Sequence, residues 1–197
     1  VDVQSSGTNA YRLIHGEGDD LPGIFVDCLG PLLRILVSGW SSIEIRERVI
    51  AALRAQLPLT PEGTPWSMLE LLHLRTRGAH QFERVRWVEG GLEALTESGV
   101  DRIGEGYWVE EGGLRYSVDP GWDSTRTPRP GFGLFVDQRD NRERTAKSAG
   151  EGGAWLNLFA HTGAFSVSLL AAGAERVVSV DLSRPYLERL EGNLVAN

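Results

Sequence analysis

The stretch Trp155–Ser166 (WLNLFAHTGAFS), followed by Ala174–Asp181 (AERVVSVD), holds the residue types whose spacing could do chemistry. An apolar run ends near Phe159, the chain turns through Thr162-Gly163, a helical pattern runs to about Ala172, and a second apolar run delivers Asp181 at its end. Ligands of open α/β sheets bind just outside the carboxyl ends of the strands. There a glycine such as Gly163 lets a ligand approach the backbone, and helix amides attract a carboxylate or phosphate. A carboxylate on the next strand can take two ribose hydroxyls. Asp181 follows Asn157 by 24 positions, close to the offset of about 20 expected of such an acid.

A dinucleotide site would show G-x-G-x-x-G, and this turn has a single glycine. One glycine suits a ligand without a pyrophosphate. S-adenosylmethionine meets that condition, with an adenosine for Asp181 and an amino acid head for the turn. The plain structural reading makes Thr162-Gly163 a strand-to-helix connection and Asp181 a helix cap beside Ser183.

A second constellation precedes the first: Gly131-Phe132-Gly133-Leu134-Phe135-Val136-Asp137-Gln138-Arg139-Asp140-Asn141-Arg142. Between positions 124 and 147 the basic residues Arg126, Arg129, Arg139, Arg142, Arg144 and Lys147 outnumber the acids Asp137, Asp140 and Glu143. Arginine binds carboxylates and phosphates bidentately, so these side chains could meet a cofactor carboxylate or RNA. The plain reading is a solvated helix start, with Asp137 or Asp140 as cap and the arginines paired to nearby acids.

The elements that must position these groups can be read from periodicity and punctuation. Residues 10–16, 23–28, 32–37 and 67–75 are strand candidates, and IEIRERVIAALRAQL after Ser42 is an amphipathic helix stopped by Pro58. The polar stretch from Thr76 to Asp101 resists assignment. Residues 107–118 predict a hairpin about Gly112-Gly113. The prolines and glycines of 120–133 predict a domain boundary. Beyond it a helix ending at Gly150, then strand, helix, strand and a last helix from Ser183 predict a parallel βαβ unit. The fold class expected is therefore α/β. A small mixed strand-helix domain is expected over 1–105, a hairpin and linker over 106–130, and the start of a Rossmann-like domain over 131–197.

The chain has 197 residues, 41% hydrophobic and 24% charged, with net charge -7 and one cysteine. That composition is globular, and a lone cysteine excludes an internal disulfide or a multi-cysteine zinc site. His15, His73, His80 and His161 lack metal-ligand spacing, so no metal is expected. No run of about 18 apolar residues and no leader pattern is present, so the expected location is the cytoplasm and no membrane partner is expected. The acidic average argues against general nucleic-acid binding, but it conceals the basic stretch beside the turn. The first and last residues, Val1 and Asn197, read as the ends of a piece of something longer.

Four ordered motifs, TNAYRLIHGEGDDLPGIFVDCLG, VEEGGLRYSVD, GFGLFVDQRDNR and LNLFAHTGAFSVSLLAAGAERVVSVDLSRPYLERLEGNLVAN, together resemble the bacterial 23S rRNA large-subunit methyltransferases that make 5-methylcytosine. The resemblance spans Thr8 to Asn197. It implies a class I, S-adenosylmethionine-dependent enzyme whose RNA-binding PUA domain precedes Val1 and whose catalytic half, with an Asp-Pro-Pro loop and a catalytic cysteine, follows Asn197. The catalytic residues are thus expected downstream. The implied cofactor residues are Phe159, Thr162 and Gly163 at the methionine end, Phe165 packing beneath it, and Asp181 on the ribose, with Gln138 and Arg139 toward the amino acid head or RNA. The implied partner is 23S rRNA, free or partly assembled, and homodimerisation stays open. The family commonly has Tyr at His161, Gly at Ala164 and a basic residue at Cys28, which makes Cys28 a buried cysteine rather than the nucleophile. The alternatives are methylation of another rRNA base, a nicotinamide oxidoreductase, which the lone glycine opposes, and a catalytically incomplete RNA- or cofactor-binding module.

Overall fold

The computed structural model describes residues 7–75, 81–103, 106–121, 132–150 and 152–197. The chain divides into two compact units, Ala10–Arg102 with Asp119–Phe132, and Val1–Asn9 with Ile103–Val118 and Gly133–Asn197. The hairpin expected with the linker lies in the unit that holds the βαβ segment, as does the chain up to Asn9, while Asp119–Phe132 lies with the other unit. Most of the Pro/Gly-rich stretch, including Arg126, Arg129 and Gly131, lies outside the described residues.

The first unit is a five-stranded sheet in sequential order, β1 (Ala10–His15), β2 (Ile24–Leu29), β3 (Leu32–Val37), β4 (Ser67–Arg75) and β5 (Gln81–Glu89). Neighbours are antiparallel except β3 and β4, whose parallel pairing is made possible by the crossover helix α1 (Ser42–Gln56). Period-two residues Ile24, Val26 and Cys28 of β2 and Leu33, Ile35 and Val37 of β3 meet Val49, Ile50 and Leu53 of α1 in one core. The stretch that resisted assignment, which the two-residue strand β6 (Arg102–Ile103) follows, contains β5 and α2 (Leu92–Glu97). Its polarity has a structural cause: Arg86 of β5 donates from Nη2 to Glu47 of α1 at 2.7 Å and pairs with the fully buried Glu70 of β4.

Cys28 lies in that core, and burial pushes its thiol up to about 12. Cys28 in the native protein is therefore expected to be inert to a thiol reagent at about pH 8, where only thiolate attacks, and to react once the protein is unfolded. Modification of Cys28 in the folded protein at the rate of a free thiol, read by peptide mass spectrometry, contradicts this.

The second unit begins with the hairpin β7 (Gly106–Glu111) and β8 (Leu114–Val118), which turns through Gly112 and Gly113, both left-handed. Then come α3 (Arg139–Ala149), β9 (Ala154–Leu158), α4 (Ala164–Ala171), β10 (Arg176–Val180) and α5 (Arg184–Val195). As expected for a βαβ unit, β9 and β10 pair in parallel, from Ala154 beside Arg176 to Leu158 beside Val180. Ala149, Leu169 and Ala174 form the core between them and the helices, with Trp155 and Val177 packed against it. The same pleat places Leu156 and Leu158 next to Val178 and Val180 on the opposite face, where all four are exposed. Among the described residues no helix is long and apolar enough to cross a membrane.

Candidate functional site

The carboxyl ends of β9 and β10 carry the turn 159–163 and Asp181. The Ala160 N–H donates to the Val180 carbonyl at 3.0 Å, and the Gly163 N–H closes the turn onto the Ala160 carbonyl at 2.8 Å. Phe159, His161 and Gly163 are all left-handed, with φ of 57°, 52° and 77°. For phenylalanine and histidine that conformation costs on the order of 1–3 kcal/mol each and persists only where the surroundings impose it. The imposing contact at His161 is the Asp181 carboxylate, whose Oδ2 accepts the His161 N–H at 2.8 Å while Oδ1 accepts the Ser183 N–H at 2.8 Å. The plain reading of Asp181 thus has substance, since the side chain organises the start of α5. It does not exhaust the group: a carboxylate has about four acceptor positions, more than the backbone donors of His161, Ser183 and Leu182 occupy.

Those backbone hydrogen bonds, from Ser183 and then His161, hold the Asp181 carboxyl below its ordinary value, so it is ionised throughout the neutral range. Beside it the His161 ring stands between two aromatic rings, 5.0 Å from Phe135 and 4.1 Å from Tyr186. Burial first, and Arg189 second, lower the proton affinity of His161 against the opposing pull of Asp181. A proton resonance titration of His161 is expected to give a midpoint below the ordinary 6.5. The sign follows: the stability carried by the neutral ring is complete above that ordinary value and is lost as pH falls through the depressed folded-state value. A midpoint at or above 6.5 contradicts the placement of the ring.

Apart from Phe159, the other expected site residues meet partners within the chain. Thr162 is fully buried, and its hydroxyl donates to the Gly133 carbonyl, so it fastens the turn from behind. At Gly163 a Cβ would overlap Leu190 of α5, with Leu190 Cδ1 only 2.6 Å away. The space opened by glycine is therefore filled by α5 rather than reserved for a ligand. Phe165 lies under the Arg142 guanidinium at 5.8 Å. Phe159 is 87% exposed at the start of the turn, available to a ligand. Gln138 accepts from Asn141 Nδ2 at 2.9 Å, and Arg139 donates to Asp140 at 3.3 Å.

The basic stretch likewise resolves into particular pairs. Arg142 is buried and bidentate to the buried Glu111 of β7, at 2.7 and 2.6 Å, and Lys147 pairs with Glu143 at 2.8 Å. Gln138, rather than Asp137 or Asp140, occupies the cap position of α3, without a side-chain hydrogen bond. Sequence reading passed over Gly133, where a Cβ would stand 2.5 Å from Arg189 Nη2 and 2.7 Å from the Ser117 carbonyl. It also passed over Asn193, which is fully buried and donates to the Thr162 carbonyl at 2.8 Å. The available signal was the spacing of Arg189, Asn193 and Asn197, three polar residues at intervals of four on one face of a helix.

An ionised carboxylate at a strand end, next to a left-handed turn and an exposed aromatic ring, can take a vicinal diol and a neighbouring flat or apolar group. Among the described residues no cluster of metal-ligating side chains is present. A family model described as S-adenosylmethionine-dependent methyltransferase matches residues 73–197. Curated relatives called ribosomal RNA large subunit methyltransferase I include proteins of Pseudoalteromonas atlantica, 32% identical over 195 residues, and Escherichia coli, 31% identical over 195 residues. In both cases the match covers 99% of this chain and 44% of the relative. Among solved structures, a candidate methyltransferase complexed with SAH aligns with TM-score 0.70 and 27% identity, covering 98% of this chain and 43% of that one. A candidate SAM-dependent methyltransferase from Streptococcus mutans aligns with TM-score 0.68 and 26% identity, over the same shares of the two chains.

Proposed function

Because the chain belongs to the S-adenosylmethionine-dependent methyltransferase family, we propose that it holds that cofactor at the 159–163 turn and serves the methylation of C5 of a cytosine in 23S rRNA. The single observation that carries the cofactor part is Asp181, ionised and half-buried at the end of β10, with acceptor capacity left over beyond its backbone bonds. When bound, S-adenosylmethionine supplies an electrophilic methyl on a sulfonium. This chain's residues bind and orient: Asp181 accepts the ribose hydroxyls, His161 presents its ring edge and backbone beside them, and Phe159 offers an apolar face to the rest of the cofactor. Thr162, Gly163 and Asn193 hold the turn that sets those three in place.

Support for the ribosomal substrate comes from the relatives' names and the four motifs. Attack from cytosine C5 requires a thiolate added first at C6. Cys28 is a poor source of it, being buried with its thiol pushed up to about 12. The target base is reached in single-stranded or flipped form. A ribosomal RNA substrate goes with a cytoplasmic protein. Mass spectrometry of ribosomal RNA nucleosides from a strain lacking the gene tests the reading: 5-methylcytidine is expected to fall in large-subunit RNA. An unchanged nucleoside profile overturns the substrate, and loss of a different methylated base replaces cytosine.

A further inference from the structure

Helix α5 presents a ladder of side chains to the backbone of β8. Arg189 donates from Nη2 to the Ser117 carbonyl at 2.8 Å. Asn193 Oδ1 accepts the Ser117 N–H at 2.9 Å and lies 3.0 Å from the Ser117 hydroxyl. Asn197 accepts the Arg115 N–H through Oδ1 and donates to the Arg115 carbonyl through Nδ2, each at 2.8 Å. Spaced by four along and just past α5, Arg189 and Asn193 share Ser117 between its carbonyl and its N–H, and Asn197 takes both backbone groups of Arg115. The helix thereby does for this strand what a further strand would do.

Asn193 also reaches the turn. Its Nδ2 donates to the Thr162 carbonyl, so one fully buried amide bridges the hairpin and the left-handed segment 161–163. The chemistry requires an amide: Oδ1 serves a donor on β8 while Nδ2 serves an acceptor on the turn. A carboxylate keeps the first bond and loses the second, and an apolar isostere loses both.

We infer that Asn193 is a positioning residue for the cofactor turn, coupling its conformation to hairpin β7–β8. The inference rests on the reading of 159–163 as the turn that holds S-adenosylmethionine, and it adds a residue that does not touch the ligand. A merely structural residue would lower stability without altering affinity in the folded protein. Asn193 differs because the Thr162 carbonyl it holds adjoins both left-handed residues His161 and Gly163.

The test compares Asn193→Asp and Asn193→Leu with Asn197→Ala in the full-length protein, by calorimetric titration with S-adenosylhomocysteine and by thermal unfolding. Both Asn193 variants are expected to bind about tenfold or more weakly at temperatures where circular dichroism reports them folded. Asn197→Ala, which removes ladder contacts without reaching the turn, is expected to lower the melting temperature and to keep wild-type affinity. Affinity within about twofold of wild type in Asn193→Asp overturns the inference. Should neither Asn193 variant fold, the wild type decides: saturating S-adenosylhomocysteine is expected to slow hydrogen exchange at the Ser117 amide, and no change there overturns the coupling. A wild type that binds no S-adenosylhomocysteine removes the cofactor reading and this inference with it. A wild type that binds beside an indifferent Asn193→Asp removes this inference alone.

Discussion

Gly163→Ala is expected to lower folding stability by about 3 kcal/mol or more and to weaken cofactor binding by at least about tenfold. Two independent effects act at this position. The residue is left-handed at φ 77°, which an L side chain adopts only under strain. A methyl built there would overlap Leu190 Cγ, with Cδ1 at 2.6 Å and Cβ at 3.1 Å. Rotation about χ1 of Leu190 can move the first two atoms but not its Cβ, so α5 itself must retreat. That retreat pulls Asn193 from the Thr162 carbonyl and disturbs the segment that presents His161 and Asp181. The double variant Gly163→Ala/Leu190→Ala is expected to regain part of the loss by relieving the overlap while the left-handed strain persists. Chemical denaturation reads the stability. A single variant that loses less than about 1 kcal/mol would show that the turn is not packed as described.

Glu111→Ala is expected to cost about 3–5 kcal/mol, because it strands a guanidinium that has almost no contact with water. Arg142 is 2% exposed, meets both Glu111 oxygens, and donates from Nη1 to the Phe135 carbonyl at 2.9 Å. A buried pair of this kind contributes little relative to an apolar pair of the same shape, but breaking one half leaves an uncompensated charge. The effect extends to the site, since the backbone that Arg142 holds carries the Phe135 ring against His161. Removing both charges in Glu111→Leu/Arg142→Met is expected to recover most of the lost stability. Denaturation curves that place Glu111→Ala within about 1 kcal/mol of wild type would mean the pair is solvated, as exposed pairs are.

The parallel unit 154–180 was legible because two short apolar runs flank an apolar helix, and the hairpin was legible because Gly112-Gly113 sits between alternating runs. Asp181 was placed correctly at a strand end by the same logic. What the sequence did not disclose was always non-local. The stretch from Thr76 to Asp101 resisted assignment, yet its Arg86 pairs across neighbouring strands with the fully buried Glu70. Arg142 read as a member of a basic surface cluster, but its partner Glu111 lies 31 positions earlier. The role of Gly163 was read as an opening toward a ligand, whereas the space is taken by Leu190, 27 positions later. Periodicity reports which side of an element is buried and says nothing of what fills the space opposite. Thr162 shows the same limit: its type suits a ligand contact or a backbone fastener equally, and only the position of the Gly133 carbonyl decides.

The central claim is that the Asp181 carboxylate receives the ribose of S-adenosylmethionine at the end of β10. Calorimetric titration of S-adenosylmethionine into the full-length protein and its Asp181→Ala variant tests it most directly, with circular dichroism confirming that the variant is folded. Loss of hydrogen bonds to an ionised acceptor is expected to weaken affinity by about a hundredfold. Affinity equal to that of the wild type would contradict the claim and leave Asp181 as an organiser of the turn and of α5 alone.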